Sequence, residues 1–405
     1  MKKIILILLS LILIMVSASA VFSRIYGVGI RVTDGRYLGY SQTTNEWLLL
    51  QYQNIKVDQD GPYIFKQDGK RHGISIQDGN KLSVKINQVG DTDKINVRVD
   101  NKENTEFIVS LRNEYPRSQL NIAAPNKLLS ISDLEGDFDA FVKLLEANHV
   151  IDGSLNWTFG SGHVVLIGDM VDRGANVVPL LWLIYKLEAE AKQAGGEVHY
   201  VLGNHERYLL DGRVKSVASK YYGTFRQTGL SQRELWSDSS ELGLWLRSKP
   251  VVLKVGSTLF LHAGMSPEVL STNPSLQSID KEAQNNFVIG DTIRRNVSDS
   301  VIHGSSGVLF YRGLAKDMSE YGLGQKADRI HVEKVLQQFD VERIAIGHTL
   351  VEHIGYDYGG RVIRVDVPHS SANSEALLIE NNQLWRVNDS GQKLDLEQAI
   401  NLTSD

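Results

Sequence analysis

Side chains that can bind metal ions follow a series of apolar segments in this chain. In chain order they are Asp133, Glu135, Asp169, Asn204, His262 and His348. Carboxylate, amide and imidazole donors in this mixture suit Mn, Fe, Zn, Ni or Co better than calcium. Two such ions that share one carboxylate polarise phosphate oxygens and make hydroxide available near neutral pH. These residue types therefore predict a two-metal site for hydrolysis of phosphate esters.

Phosphate hydrolysis places further demands on such a site. Uncatalysed hydrolysis of a phosphate monoester is among the slowest reactions known, so the site must neutralise the dianion and stabilise the attacking and leaving oxygens. Arginine side chains suit this task because their planar fork matches phosphate oxygens in a bidentate way. We therefore expect arginines beside the metal ligands.

Apolar strands that alternate with helical patterns must position these residues. After Pro125, continuous apolar runs cover residues 128–133, 164–169, 198–204 and 259–262, and each ends in a polar residue. Residues 138–150 and 177–194 have helical spacing, and residues 207–249 form a longer, partly helical insertion that could cap the site. This pattern predicts a layered α/β domain, in which ligands gather at the carboxyl ends of strands.

The preceding segment has a different pattern. Short alternating stretches at residues 47–50, 61–65, 73–76, 82–86 and 95–99 indicate strands. Asp-Gly pairs at 60–61, 68–69 and 78–79 stand where hairpin turns need positive φ. We expect a small antiparallel β domain over residues 21–122, as a sandwich or a barrel, then a catalytic domain over 123–390 and a tail over 391–405.

The first twenty residues have the pattern of a signal peptide. Lys2 and Lys3 precede an apolar run, and residues 18–20 offer a small-residue cleavage site. The run is short for a membrane span, although an uncleaved anchor stays an alternative, and a membrane would be a partner only in that case. The chain has no cysteine. Export to a bacterial periplasm fits these features best.

Net charge excludes one class of partner. Removing residues 1–20 takes away two lysines and no acids, so the formal net charge of −5 becomes −7. Nucleic-acid binding requires a basic surface, and this composition offers none. We expect a phosphorylated protein or a small phosphoester as the partner.

Two motifs resemble those of the calcineurin-like metallophosphoesterases, and within them the serine/threonine phosphoprotein phosphatases. Residues 168–174, Gly-Asp-Met-Val-Asp-Arg-Gly, and residues 203–206, Gly-Asn-His-Glu, match the family pattern. Residues 242–250 and 309–313 are similar to segments of the Shewanella-like phosphatases. The resemblance covers about residues 128–368 and implies a metallophosphoesterase β-sandwich flanked by helices.

The resemblance also implies a role for each site residue. Asp133 and Asp169 would hold the first metal, with Asp169 as the bridge, and Asn204, His262 and His348 would hold the second. His205 would be the general acid for the leaving oxygen, oriented by Asp172. Arg173 and Arg312 would clamp the phosphate. His353 is an alternative to His348, while Asp137 and Asp139 are expected to serve the start of a helix.

Glu135 departs from the family pattern, which has histidine at this position. An oxygen ligand here would make the first site harder and would tilt its preference toward Mn or Mg. If Glu135 points away, the first site is weak, and the chain could be a non-catalytic binding protein. Otherwise the leading function is that of a two-metal phosphomonoesterase acting on phosphoproteins. The alternative substrate is a nucleotide, such as a dinucleoside polyphosphate.

Overall fold

The computed structural model describes residues 30–33, 36–41, 46–50, 55–89, 92–287, 304–321, 324–369 and 374–402. The predicted signal peptide lies outside the described residues. Among the helices within these ranges, none combines the length and the apolarity that crossing a bilayer would take.

The N-terminal segment forms three separate three-stranded antiparallel sheets. Their strands are β1 (Ile30–Thr33), β2 (Arg36–Ser41), β3 (Glu46–Leu50), β4 (Asp60–Gln67), β5 (Lys70–Gln77), β6 (Asn80–Ser83), β7 (Asn87–Val89), β8 (Thr92–Arg98) and β9 (Glu106–Ser110). The described strands close no barrel; β4 instead packs against β8. The prediction of antiparallel strands is confirmed, and the boundary at residue 122 stays a prediction.

Two of the three Asp-Gly pairs form the expected turns. Asp68 and Asp78 have φ values of 50° and 49°, and the glycines after them are also positive. These turns join β4 to β5 and β5 to β6. The expectation for Asp60-Gly61 was wrong, because this pair lies inside β4 at a register irregularity between Asp60 and Tyr63. A glycine with positive φ also suits a bulge within a strand.

The catalytic region contains two sheets. Its strands are β10 (Asn121–Ile122), β11 (Lys127–Ile131), β12 (His163–Ile167), β13 (Glu197–Val201), β14 (Val252–Val255), β15 (Thr258–Leu261), β16 (Arg343–Ile346), β17 (Gly355–Asp357), β18 (Val362–Arg364), β19 (Glu375–Glu380), β20 (Gln383–Asn388), β21 (Lys393–Leu394) and β22 (Glu397–Gln398). One sheet has the order β13-β12-β11-β19-β20-β21, and the other has the order β10-β14-β15-β16-β18-β17-β22. Buried residues from both sheets, including Val165, Phe260 and Ile363, share an apolar cluster between them. The predicted layered β-sandwich is confirmed.

Helices flank this sandwich. They are α1 (Phe138–Ala147), α2 (Val177–Gln193), α3 (Asn204–Leu210), α4 (Ser219–Thr228), α5 (Gln232–Leu235), α6 (Glu241–Arg247), α7 (Pro267–Ser271), α8 (Leu276–Phe287) and α9 (Arg329–Phe339), with a 3₁₀ turn at Ser319–Tyr321. The two helices expected after the first and second metal motifs are confirmed within a few residues. Asp137 caps α1, since its carboxylate accepts a hydrogen bond of 3.0 Å from the backbone N–H of Ala140.

Helix α2 is buried on nearly every side because it lies between the first sheet and the N-terminal strands. It packs against β13 on one side and against β4, β8 and β9 on the other. Its Trp182 and Tyr185 are fully buried, and the indole N–H of Trp182 donates to the carbonyl of Pro62 at 2.9 Å. Strands β4, β8 and β9 therefore share one hydrophobic core with the catalytic region.

Candidate metal centre and active site

The carboxyl ends of five strands deliver the predicted metal ligands to one rim of the sandwich. Asp133 follows β11, Asp169 follows β12 and Asn204 begins the helix after β13. His262 follows β15 directly, and His348 follows β16. Because β11, β12 and β13 are parallel neighbours, their ends meet at the same edge. We call the set of Asp133, Asp169, Asn204, His262 and His348 the rim cluster.

The loops of the rim have an unusual backbone. Asp133, Glu135, Asp169, Asp172 and His348 all have φ between 52° and 70°, in the left-handed region. Side chains other than glycine enter this region rarely, and such residues concentrate at functional sites. Two glycines allow close approach: a Cβ at Gly203 would collide with the carboxylate of Asp169, and one at Gly347 would collide with Ser132. The backbone therefore brings the donor groups closer than ordinary residues would permit.

Glu206 fixes the loop that carries Asp169. Its buried carboxylate accepts hydrogen bonds from the backbone N–H groups of Asp169 (2.9 Å), Met170 (2.8 Å) and Gly203 (2.6 Å). It also accepts one from the hydroxyl of Tyr200 at 2.8 Å. No role was predicted for Glu206 from the sequence, although its position three residues after Gly203, at the start of a helix, is that of a capping box.

The arrangement around His262 fits a metal ion. Its Nδ1–H donates to the carbonyl of Ile167 at 2.8 Å, so the lone pair of a neutral ring is on Nε2. That Nε2 lies 3.1 Å from Oδ2 of Asp169, 2.9 Å from Oδ1 of Asn204 and 3.2 Å from Nδ1 of His348. A single proton can serve only one of these contacts, whereas a cation among the four atoms would satisfy all of them.

The charges of the rim point to the same conclusion. Burial lowers the pKa of His262, yet Asp169 and Asp133 raise it to about 10. Burial and Asp169 raise the pKa of Asp133 to about 6, against the opposing effect of His262. The rim therefore concentrates negative charge in a buried place, and divalent cations are the natural compensation.

Asp133 lies next to this centre and interacts with His262 and Asp169. It accepts hydrogen bonds from the hydroxyl of Ser132 and from the backbone N–H of His348, the latter at 3.0 Å. Asp366 was not predicted from the sequence. It lines the cavity that also contains Asp133 and Asp169. Its pKa is raised well above its ordinary value by burial and by Asp133 and Glu135. Asp366 follows β18, but no recognised motif marked it in the sequence.

Glu135 also lines the cavity, but its carboxylate forms an ion pair with Arg173. The group of side chains within reach of one common ion contains Asp169, His262 and His348 and does not include Glu135. Burial raises the pKa of Glu135 to about 7, although Arg173 lowers it. Ligation by Glu135 stays a prediction, and Arg173 is placed at the mouth of the cavity by this contact.

His205 and Asp172 form the predicted pair. Nδ1 of His205 lies 2.8 Å from Oδ2 of Asp172, and its Nε2 lies 3.9 Å from Oδ2 of Asp169. The backbone N–H of His205 donates to Oδ1 of Asp169 at 2.8 Å. Burial lowers the pKa of His205, but Asp169 and Asp172 raise it to about 9. An imidazolium in this position can give a proton to a leaving group.

Two adjoining cavities meet at these residues. The first, of about 570 Å³, is lined by Asp133, Glu135, Asp137, Asp139, Asp169, Arg173 and Asp366. The second, of about 640 Å³, is lined by Tyr208, Arg213, Phe310 and Met318. Both share Asn204, His205, Arg312 and His348. The Arg312 guanidinium faces the carbonyl of His348 and the hydroxyl of Thr349.

His353 and His369 are not part of the rim cluster, although His369 lines the first cavity. His353 pairs with Glu375 at 3.0 Å, which favours His348 as the ligand. His369 has a structural contact, since its Nε2 lies 2.8 Å from the carbonyl of Ser132, and burial lowers its pKa to about 4. His303 lies outside the described residues.

Comparisons with known proteins identify the family. Residues 127–352 match the description of the calcineurin-like phosphoesterases. The chain is 24% identical over 314 residues to Shewanella-like protein phosphatase 2 of Arabidopsis thaliana, covering 64% of this chain and 75% of the relative. A shorter match, 28% identical over 139 residues, is to the symmetrical bis(5'-nucleosyl)-tetraphosphatase of Neisseria gonorrhoeae, and it covers 34% of this chain and 44% of that protein.

A solved structure extends the similarity over most of the chain. The cold-active protein-tyrosine phosphatase of a psychrophilic Shewanella species superposes with a TM-score of 0.73 at 28% identity, covering 84% of this chain and 99% of that one. The geometry of the rim and these similarities agree. The chain belongs to the calcineurin-like phosphoesterase family, and it is a metal-dependent phosphoester hydrolase.

Proposed function

We propose that this protein is a phosphomonoesterase that acts on phosphorylated protein side chains, phosphotyrosine among them, with two manganese ions. The single observation that carries the substrate assignment is the aromatic cavity beside His205. The names of the similar proteins, a Shewanella-like protein phosphatase and a protein-tyrosine phosphatase, support it.

Two sets of side chains that have Asp169 in common would hold the two ions. Asp133, Asp169 and Glu135 would hold the first, and Asp169 would be shared with Asn204, His262 and His348 around the second. A bound pair of divalent ions polarises phosphate oxygens and supplies a nucleophile near neutral pH. Oxygen donors dominate the first set, which favours manganese over softer ions.

The side chains of the protein supply binding and proton transfer. Arg173 at the cavity mouth and Arg312 between the two cavities carry positive charge toward a bound phosphate. Asp169 and Asp172 raise the pKa of His205 against the effect of burial, and Asp172 fixes its ring. His205 would protonate the leaving oxygen, the step that an alcohol leaving group needs most.

We assign the leaving group to the second cavity, because its aromatic wall starts beside the ring of His205. Its wall is aromatic: Tyr208 lies 5.4 Å from the ring of His205, and Phe310 lies 6.0 Å from Tyr208, measured between ring centroids. The guanidinium of Arg213 stands 5.0 Å from the Tyr208 ring. Aromatic walls bind planar rings by stacked or edge contacts, so this cavity suits an aryl leaving group such as tyrosine.

A substrate panel tests the proposal. The protein, reloaded with manganese, would be assayed on matched phosphotyrosine and phosphoserine peptides and on diadenosine tetraphosphate. We expect the phosphopeptides to give the higher kcat/KM, with phosphotyrosine favoured. Tyr208→Ala should reduce turnover of the phosphotyrosine peptide more than that of the phosphoserine peptide, whereas Tyr321→Ala, at an exposed tyrosine outside both cavities, should change neither.

A second candidate function is hydrolysis of dinucleoside polyphosphates. The match to a bis(5'-nucleosyl)-tetraphosphatase favours it, and an aromatic cavity can also stack a nucleobase. Rapid cleavage of diadenosine tetraphosphate with no turnover of either peptide would overturn the phosphoprotein assignment and support this one.

We also propose that the protein is exported to a bacterial periplasm. The support is the sequence pattern of residues 1–20. Fractionation of cells that express the full chain, followed by N-terminal sequencing, tests this proposal. A mature protein beginning near residue 21 in the periplasmic fraction is expected, and an intact N-terminus in the cytoplasm would contradict it.

A further inference from the structure

We propose that His163, Glu197 and His199 form a third metal site, remote from the rim, that takes a divalent transition-metal ion of the zinc type. His163 is the first residue of β12 and Glu197 is the first residue of β13. The rim lies at the other ends of the same two strands. We call this set of three residues the strand-start cluster.

Strand register brings the three donors to one face. His163 pairs directly with Glu197, and His199 follows two residues later on β13. Paired residues of neighbouring strands share a face, and so do residues two apart along one strand. The β-sheet itself therefore fixes the cluster, and no loop has to be ordered to assemble it.

Two of the donor distances are close to those of a tetrahedral site. Nε2 of His199 lies 3.0 Å from Nδ1 of His163 and 3.4 Å from Oε2 of Glu197, and the three donor atoms lie within 4.8 Å of one another. Zinc binds nitrogen and carboxylate oxygen at about 2.0–2.1 Å, so its tetrahedral ligands stand about 3.3–3.4 Å apart. Small side-chain movements would bring all three donors to one ion.

Protonation and access also suit a metal. Burial lowers the pKa of His199 to about 3 and also lowers that of His163, so both rings are neutral at pH 7, as ligation requires. The nearby ammonium of Lys249 is paired with Glu188. The Glu197 side chain is 51% exposed, which leaves a path for an ion to enter and a position for water.

The donor set matches that of Asp169, His262 and His348 in the rim, so position rather than chemistry separates the two sites. Two imidazoles and one carboxylate favour zinc, cobalt or nickel over the oxygen-preferring manganese and magnesium. A neutral His163–His199 hydrogen bond is the alternative use of the same geometry. The two uses differ in one measurable quantity, the number of zinc ions bound per chain.

Zinc stoichiometry tests the proposal. Chelator-stripped protein would be dialysed against zinc and the bound metal measured for the parent, for His163→Gln and for the matched control His149→Asn, which removes an exposed histidine outside the cluster. We expect His163→Gln to lose one equivalent and His149→Asn to lose none. Manganese-dependent phosphatase activity should be unchanged in both. Equal zinc content in the parent and in His163→Gln would overturn the proposal.

A second pair of proteins guards against interference from the rim. Asp169→Asn should lose the rim ions and keep one zinc equivalent, and Asp169→Asn combined with Glu197→Gln should bind that ion at least about tenfold more weakly, because a charged ligand is lost. Cobalt loading of Asp169→Asn should give the visible absorption of a tetrahedral site. No cobalt spectrum and no zinc in Asp169→Asn would also overturn the proposal.

Discussion

Two regions of this molecule bury several charged side chains, and the carboxylates of the two regions are neutralised in different ways. In the rim cluster, the carboxylates of Asp133 and Asp169 interact with each other and are contacted by histidine side chains, backbone N–H groups and the hydroxyl of Ser132. Between the N-terminal strands and α2, the buried or partly buried carboxylates have cationic partners. Glu188 accepts from Arg112 at 2.6 Å and from Lys249, and Glu241 lies 3.4 Å from Arg71. We call the set of Glu188, Glu241, Arg71, Arg112 and Lys249 the interface cluster.

This difference distinguishes a region that serves catalysis from a region that stabilises the fold. Protein cations neutralise the carboxylates of the interface cluster, so folding alone completes it. The rim has an excess of anionic groups that metal ions must neutralise, and its strained backbone keeps the donors together. Removing a charge should therefore stop catalysis in the rim and weaken folding in the interface cluster.

The largest effect is expected for Asp169→Asn. Each ion would lose the carboxylate that both share, so metal binding and turnover of p-nitrophenyl phosphate should fall to background. Metal analysis after dialysis and a steady-state assay measure the two quantities. Full activity in Asp169→Asn would show that catalysis in the rim does not depend on this carboxylate.

His205→Asn should slow turnover by about 10²–10⁴-fold, the usual contribution of a general acid. The reduction should be larger for a phosphoserine peptide than for p-nitrophenyl phosphate, whose leaving group needs no proton. Metal content should stay at the parental value, which distinguishes this residue from the ligands. Equal reductions for both substrates would show that His205 does not protonate the leaving oxygen.

Glu188→Gln tests the interface cluster. The change leaves Lys249 buried without its carboxylate, so we expect a loss of about 3 kcal/mol in the free energy of unfolding. Urea denaturation of the metal-free protein measures it. Glu146→Gln, on the exposed side of α1, is the matched control and should stay within about 0.5 kcal/mol of the parent.

The ion pairs of Glu188 also predict that the free energy of unfolding depends on pH. Burial raises the pKa of Glu188, but Lys249 and Arg112 outweigh it and lower the pKa from 4.5 to about 2. A lowered pKa means that the stabilisation is complete above pH 4.5 and is lost as the pH falls toward 2. The stability difference between the parent and Glu188→Gln should therefore shrink over this window. A constant difference would contradict the ion-pair assignment.

The smallest effect is expected for Glu135→His. Activity should stay within about tenfold of the parent, while the preferred metal shifts from manganese toward zinc or nickel as nitrogen replaces oxygen. Activity measured across a metal series tests this expectation, and Arg173→Gln, which breaks the same ion pair without touching a ligand, is the control. An unchanged metal preference would show that Glu135 does not contact the ion.

Sequence patterns were enough to predict the rim because its residues are local to strand ends. Asp133, Asp169, Asn204 and His262 each stand next to a continuous apolar run, and the structure brings them together as expected. Asp366 and the strand-start cluster were missed because they depend on long-range strand pairing. The Asp60-Gly61 turn was predicted wrongly because a turn and a bulge require the same glycine conformation.

The burial of α2 has a consequence for shortened forms of this protein. Starting the chain at residue 123 would expose the indole of Trp182 and the ring of Tyr185, and it would remove the Pro62 carbonyl that receives the indole proton. Such a fragment would expose an apolar surface along α2 to water and would tend to aggregate. A naturally shorter phosphoesterase must instead carry hydrophilic side chains along the outer surface of the equivalent helix.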